Sequence, residues 1–180
     1  DVPRQATSGP MPHLPRLGSR WLLTGALDRV LYYGRGPHEN YADKKESAFI
    51  GLFGGEVSDL HEEYVRPQEN GAHQDTQFVA FHDVLGLGIQ FCGLDGFSFT
   101  AHNYTDEDQD AAEHAHELKE RDFVCVNIDF AQGGLGSNSC GPLPLRRYRL
   151  EPGRHSLRYM VRPFSRGIHD PFDRARRLPG

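Results

Sequence analysis

Short stretches whose side chains alternate between apolar and polar recur along this chain at roughly ten-residue intervals, and that rhythm constrains the fold more than any other feature. The clearest is Phe97–His102, where Phe97, Phe99 and Ala101 share one face of an extended backbone and Ser98, Thr100 and His102 share the other. Phe123–Phe130 repeats the pattern: Val124, Val126, Ile128 and Phe130 form an apolar face, while the second face starts apolar at Phe123 and Cys125 and turns polar at Asn127 and Asp129. Further strands are predicted at Trp21–Thr24 and Asp28–Tyr33, joined across Gly25, and at Glu46–Leu52, closed by Gly54-Gly55. Gln77–Val84 and Leu87–Cys92 follow, with Gly93-Leu94-Asp95-Gly96 read as a hairpin connection into Phe97. His155, Leu157, Tyr159 and Val161 give a last strand. Such a succession predicts an all-β sandwich or barrel.

One short helix is expected near Asp106–His114, because Thr105 and Asp108 form a capping box and Asp106 and Glu107 place acids in the first turn. Residues 1–18, with Pro3, Pro10, Pro12 and Pro15 and no periodicity, read as an extended N-terminal segment, 19–164 as the domain and 165–180 as a tail. The arginines of Arg162–Arg177, interrupted by Asp170 and Asp173, read as solvated. The chain of 180 residues does not begin with Met and reads as a segment of a longer polypeptide. A net charge of -5 argues against nucleic acid, which would need a clustered basic footprint. No run of 18 apolar residues is present, so no membrane association is expected. Cys92 and Cys125 lie within apolar strand-like runs and Cys140 makes the count odd, a usage that suits a reducing cytoplasm.

The densest chemistry lies in Tyr33–Tyr41, Tyr-Gly-Arg-Gly-Pro-His-Glu-Asn-Tyr. Gly34 and Gly36 are expected to admit positive φ, and Pro37 stiffens the exit. Arg35, His38, Glu39 and Asn40 between two tyrosines suit a polyhydroxylated ligand, which needs polar contacts to its hydroxyls and an apolar plate for its C–H face. A turn whose Arg35 and Glu39 satisfy buried backbone groups explains the same residues. Ala131–Pro142 is a glycine-rich loop with no βαβ unit around it, so phosphate binding is not expected. His114 and His116 lack the further ligands of a zinc site. Glycoside hydrolysis requires two carboxylates roughly 5 to 9 Å apart, and the spacing selects no pair among Glu39, Glu62, Glu63, Glu69 and Asp129.

The stretch from Tyr33 to Asp43 closely resembles the Gly-Arg-Gly-Pro-His-Glu-Asn-Tyr signature in the C-terminal, small-chain domain of bacterial β-galactosidases of glycoside hydrolase family two. Tyr64–Gly71, Tyr104–Asp108, Asn127-Ile-Asp129 and Gly134–Pro142 agree in the same order, so the resemblance runs from about Leu14 to Pro163. It implies an antiparallel supersandwich of the galactose-mutarotase-like type, lacking its N-terminal third, within a multidomain enzyme that hydrolyses terminal β-D-galactosides such as lactose. It also implies that both catalytic glutamates lie in a central (β/α)₈ barrel outside this chain. No cofactor is expected here, and the family's Mg2+ and Na+ are held mainly by other domains. Family members commonly carry a sugar-stacking Trp in the loop matched by Ser137–Gly141, where this sequence has Cys140.

The expected role is therefore an accessory domain that shapes the active-site edge, contacts the remaining domains of the parent polypeptide and supports a homo-oligomer. Arg35, His38, Glu39, Asn40, Glu69, Asn70, Asp129 and Cys140 are the expected substrate-proximal or pocket-shaping residues. Cys140 is chosen for its matched pocket position, the others for motif membership and chemistry. A stand-alone carbohydrate-binding module, or an aldose 1-epimerase using His38 or His102 with a carboxylate, are the alternatives.

Overall fold

The computed structural model describes residues 13–135 and 143–177. The described residues form seven strands: β1 (Arg16–Thr24), β2 (Arg29–Gly36), β3 (Phe49–Glu56), β4 (His73–His82), β5 (Leu87–His102), β6 (Phe123–Gln132) and β7 (Tyr159–Ser165). One antiparallel sheet runs in the order β1-β6-β5-β4-β2-β3, with β7 also paired to β5. The all-β expectation holds, and the architecture is sandwich-like, because one apolar face of the sheet closes on itself. Trp21 of β1 meets Phe91 of β5 edge-on at 5.4 Å, and Val30, Tyr32, Val79, Phe81, Phe99, Val124, Val126 and Ile128 are all 2% exposed or less in the same core.

Several local expectations are corrected. The two strands joined across Gly25 do not pair with each other: among the described strands β1 pairs with β6 alone, and β2 lies between β3 and β4. The strands expected at Glu46–Leu52, Gln77–Val84 and 155–161 are displaced to Phe49–Glu56, His73–His82 and Tyr159–Ser165. The predicted hairpin at Gly93–Gly96 is a bend inside one 16-residue strand. Both halves of β5 keep β4 on one side, while the other side is shared between β7 at Leu87–Gly93 and β6 at Ser98–His102. The glycines supply the bend: Gly96 has φ +82°, and a Cβ on Gly93 would lie 2.7 Å from the Phe97 ring.

Gly34 and Gly36 take no positive φ; they lie in β2 and are required for space. A Cβ on Gly34 would lie 2.5 Å from Thr76 Oγ1, and one on Gly36 would lie 2.4 Å from Tyr32 Oη. Among the described residues there are two α-helices rather than one. α1 (Asp106–Ala111) starts at the predicted Thr105–Asp108 capping box. α2 (Pro171–Arg176) is capped by Asp170 and lies in the stretch expected to be a solvated tail. Its Phe172 ring packs against Tyr33 at 5.0 Å and Phe78 at 5.1 Å, which makes the helix a cover for the second face of the sheet.

Candidate functional site

At the β6 end of the sheet, the face opposite the core is polar and covered. Thr100 of β5 and Asn127 and Asp129 of β6 rise from neighbouring strands, and all three are buried. Period-two alternation sends them to the side opposite Phe99, Val126 and Ile128, so the strand that builds the core also builds this face. Above them stand α1, which contributes Asp106, and the turn that carries Glu69.

Arg16 is the hub of this cluster. Its guanidinium donates to Asp106 Oδ2 at 3.0 Å, Glu69 Oε1 at 3.0 Å and Thr100 Oγ1 at 3.3 Å. Its Nε lies 3.0 Å from Asp129 Oδ2, an ion pair without hydrogen-bond geometry. Arg20, four residues further along the same face of β1, grips Asp106 at 2.7 Å and Glu107 at 2.8 Å. Asn127 completes the web by donating to Thr100 Oγ1 at 3.1 Å and Asp106 Oδ1 at 3.3 Å. Gly18 makes the Asp129 position possible, since a Cβ there would lie 2.1 Å from Asp129 Oδ1.

One guanidinium thus faces three carboxylates, and the crowding of buried charge shows in the proton affinities of Asp129 and Glu69. Burial pushes Asp129 up to about 6, with Arg16 pulling against it and Glu69 adding to it. Burial likewise raises Glu69 against the pull of Arg16. The Arg16 guanidinium stays firmly protonated: burial lowers its affinity, but Glu69, Asp129 and Asp106 more than restore it. Arg16, Arg20, Asn127 and Asp129 line a depression of about 350 Å³ over Gly18. Its charged groups can exchange hydrogen bonds with hydroxyls, but Asp129 and Glu69 both lean on Arg16, which braces them as a unit.

Of the eight residues expected from sequence, Glu69 and Asp129 meet here. Glu39, Asn40 and Asn70 serve the scaffold that holds Glu69. Buried Glu39 accepts from the Gly71 amide at 2.9 Å, from Lys44 Nζ at 3.1 Å, from Tyr41 at 3.3 Å and from the Tyr64 hydroxyl. Burial would raise its pKa, yet the donors Tyr64, Gly71 and Lys44 hold it below the ordinary value. Asn70 caps its own turn, accepting from the Glu62 amide at 3.0 Å and donating to the Gln68 carbonyl at 2.9 Å. Gly71 follows with φ +69°, a left-handed backbone that glycine adopts freely. Asn40 accepts from the Gln74 amide at 2.9 Å and donates to the carbonyls of Arg35 and His38.

Arg35 is committed elsewhere, to Asp75 at 2.5 Å and to the carbonyl of Ala48 at 2.8 Å. His38 is exposed and bonded to Ser47 at 2.9 Å. Cys140 lies outside the described residues. His102 is buried, donates Nε2–H to the Asn70 carbonyl at 3.0 Å, and is kept neutral by burial with a pKa of about 4. The residues missed from sequence are Arg16, Thr100, Asp106 and Asn127. Arg16 lay in a stretch read as extended and non-periodic. Its one signal was the even-numbered pair with Arg20, which a strand places on one face.

This architecture defines a class: an antiparallel β domain whose solvent-side face is braced through a central arginine. Comparison with known proteins then specifies it. Residues 2–162 match the family described as Beta galactosidase small chain. The chain is 36% identical over 149 residues to a β-galactosidase of Actinobacillus pleuropneumoniae, a match spanning 83% of this chain and 14% of that protein. It is 39% identical over 144 residues to the β-galactosidase of Staphylococcus xylosus (80% and 14%) and 36% identical over 148 residues to that of Kluyveromyces lactis (78% and 14%). The chain belongs to the β-galactosidase small-chain family, and it spans about one-seventh of the length of these relatives.

Proposed function

We propose that this chain is the C-terminal domain of a β-galactosidase that hydrolyses terminal β-D-galactosides such as lactose, and that it shapes the edge of the active site and supports assembly without supplying the catalytic glutamates. The observation that carries this reading is the Arg16 cluster: Glu69 and Asp129 are tied to one arginine, an arrangement that fixes a surface instead of freeing two carboxylates for acid and nucleophile roles. The order of the matched family stretches supports the same reading, since the glutamate network of the Tyr33–Tyr41 signature holds the turn that presents Glu69. The parent works in the cytoplasm as a homo-oligomer, with Mg2+ and Na+ bound by its other domains. Among the described residues, no three His, Cys, Asp or Glu side chains are grouped to hold a metal ion.

The test is hydrolysis of a chromogenic β-galactoside by the purified chain, by the remainder of the parent polypeptide, and by the two mixed. Activity in the mixture alone is the expected result. Turnover by the chain alone would overturn the accessory role, and a mixture as inactive as its parts would overturn the assignment to the active-site edge.

A further inference from the structure

We propose that the outward-turned ring of Phe130 and its neighbours form a second carbohydrate subsite, taking the C–H face of a β-galactoside, on the opposite side of β1 from the Arg16 cluster. Phe130 has the parity of the core residues Val124, Val126 and Ile128, each fully buried, yet it is 39% exposed. The cause is a bulge. β1 and β6 pair Leu17 with Ala131 and Gly18 with Asp129, so Phe130 has no partner across the ladder. An extra residue at such a bulge is re-aimed away from the register of its strand, and bulges are concentrated beside functional sites.

The ring is not left alone. His155 packs on it with centroids 5.0 Å apart and an interplanar angle of 43°. Leu17, Ser19, Phe130, His155, Leu157 and Tyr159 line a hollow of about 280 Å³ at this place. That volume suits a single hexose unit. The polar groups also suit one. Trp21 Nε1 donates to Tyr159 Oη at 2.9 Å, and Tyr159 Oη and Ser19 Oγ share one hydrogen bond at 2.6 Å. Whichever hydroxyl donates between them, one O–H proton of the pair has no acceptor among the described residues. His155 Nε2 faces the Glu151 carbonyl at 3.0 Å; a carbonyl only accepts, so Nε2 carries the proton and, in the neutral ring, Nδ1 is an acceptor with no partner among the described residues. An aromatic plate, one free hydroxyl donor and one free imidazole acceptor match the amphipathic surface of a sugar better than that of a peptide or an anion, for which no cation lines the hollow.

The choice of a galactoside rests on the function proposed above, whereas the position rests on the bulge and the hollow alone. Trp21 is the single tryptophan of the chain and shares its hydrogen bond with a residue of the hollow, so its fluorescence reports on ligand there. Titrating the 180-residue chain with methyl β-D-galactoside to about 100 mM should give a saturable change in that signal, in the millimolar range expected for one sugar ring. Phe130→Ala should weaken it by about tenfold or abolish it, the loss expected for an aromatic plate. Phe130→Tyr should restore it, and circular dichroism of each variant checks folding.

A flat titration of the folded chain, or a response unchanged in Phe130→Ala, overturns the subsite. A saturable response to glucosides equal to that with galactosides overturns the galactoside specificity. Failure here is separable from failure of the enzyme assignment. A chain that restores hydrolysis to its parent but shows no fluorescence response loses only the subsite, and one that binds sugar without restoring hydrolysis loses only the assignment.

Discussion

Asp129 carries a testable consequence of crowding three carboxylates round one arginine. Its folded pKa of about 6 lies above the ordinary 3.8, because burial penalises the charge by more than Arg16 repays. A raised acid binds its proton more tightly in the folded state, so its contribution to stability is greatest at low pH and declines as pH rises from about 4 through about 6. Asp129→Asn removes that decline. Melting curves at pH 5 and pH 7.5 should therefore show the variant gaining on the parent sequence as pH rises, whatever its absolute melting point. A melting difference that stays constant, or moves the other way, would contradict the assigned environment. Glu39 has the opposite sign. Its donors hold it below the ordinary value, so its contribution is present at neutral pH and is lost as pH falls through the acid range. The two glutamate and aspartate classes look alike in sequence, and only the count of donors around each separates them.

At the scale of elements, periodicity made the all-β class and the core faces legible, because alternation is written directly into Phe97–His102 and Phe123–Ile128. Partnering was not written there. A Gly-x-x-Gly stretch serves equally as a hairpin or as a bend, and Gly93–Gly96 became a bend because β7 and β6 each satisfy half of β5. The polar site was half legible: Glu69 and Asp129 carry motif signals, but Arg16 declares itself only when β1 is laid beside β6. The C-terminal arginines concealed α2, whose single large apolar contact is Phe172. Phe172→Ala should cost about 2 kcal/mol in urea unfolding, the scale of uncovering one large ring. The loss arises because Tyr33 and Phe78 both give up their contact with it. An unchanged midpoint would return this segment to the status of a solvated tail.

For the whole molecule, the two ends of the sheet differ in kind. β1 ends the sheet with Arg16 and Arg20, and long charged side chains discourage another strand from docking. β3 ends it at the other side with Phe-Ile-Gly-Leu-Phe-Gly-Gly-Glu, which carries no charge before Glu56. Among the described residues it pairs with β2 alone, and Phe49, Ile50 and Leu52 are 63%, 44% and 49% exposed. A strand of eight residues whose one charge is its last residue, with its outer backbone ladder unpaired among the described residues and apolar side chains on both faces, is a template for a further strand. The isolated chain should therefore associate as its concentration rises, visible as an increase in mass by sedimentation equilibrium. Leu52→Lys places a charge in the middle of that edge at a half-exposed position, so it should shift the chain toward monomer while moving the melting temperature little. Mixing with the remainder of the parent polypeptide should suppress self-association if that polypeptide covers β3. If Leu52→Lys leaves the association intact, the contact runs through another surface. The exposed Val84, Leu85, Leu87 and Ile168, gathered where Leu87 pairs with Ser165, are then the place to put the next charge.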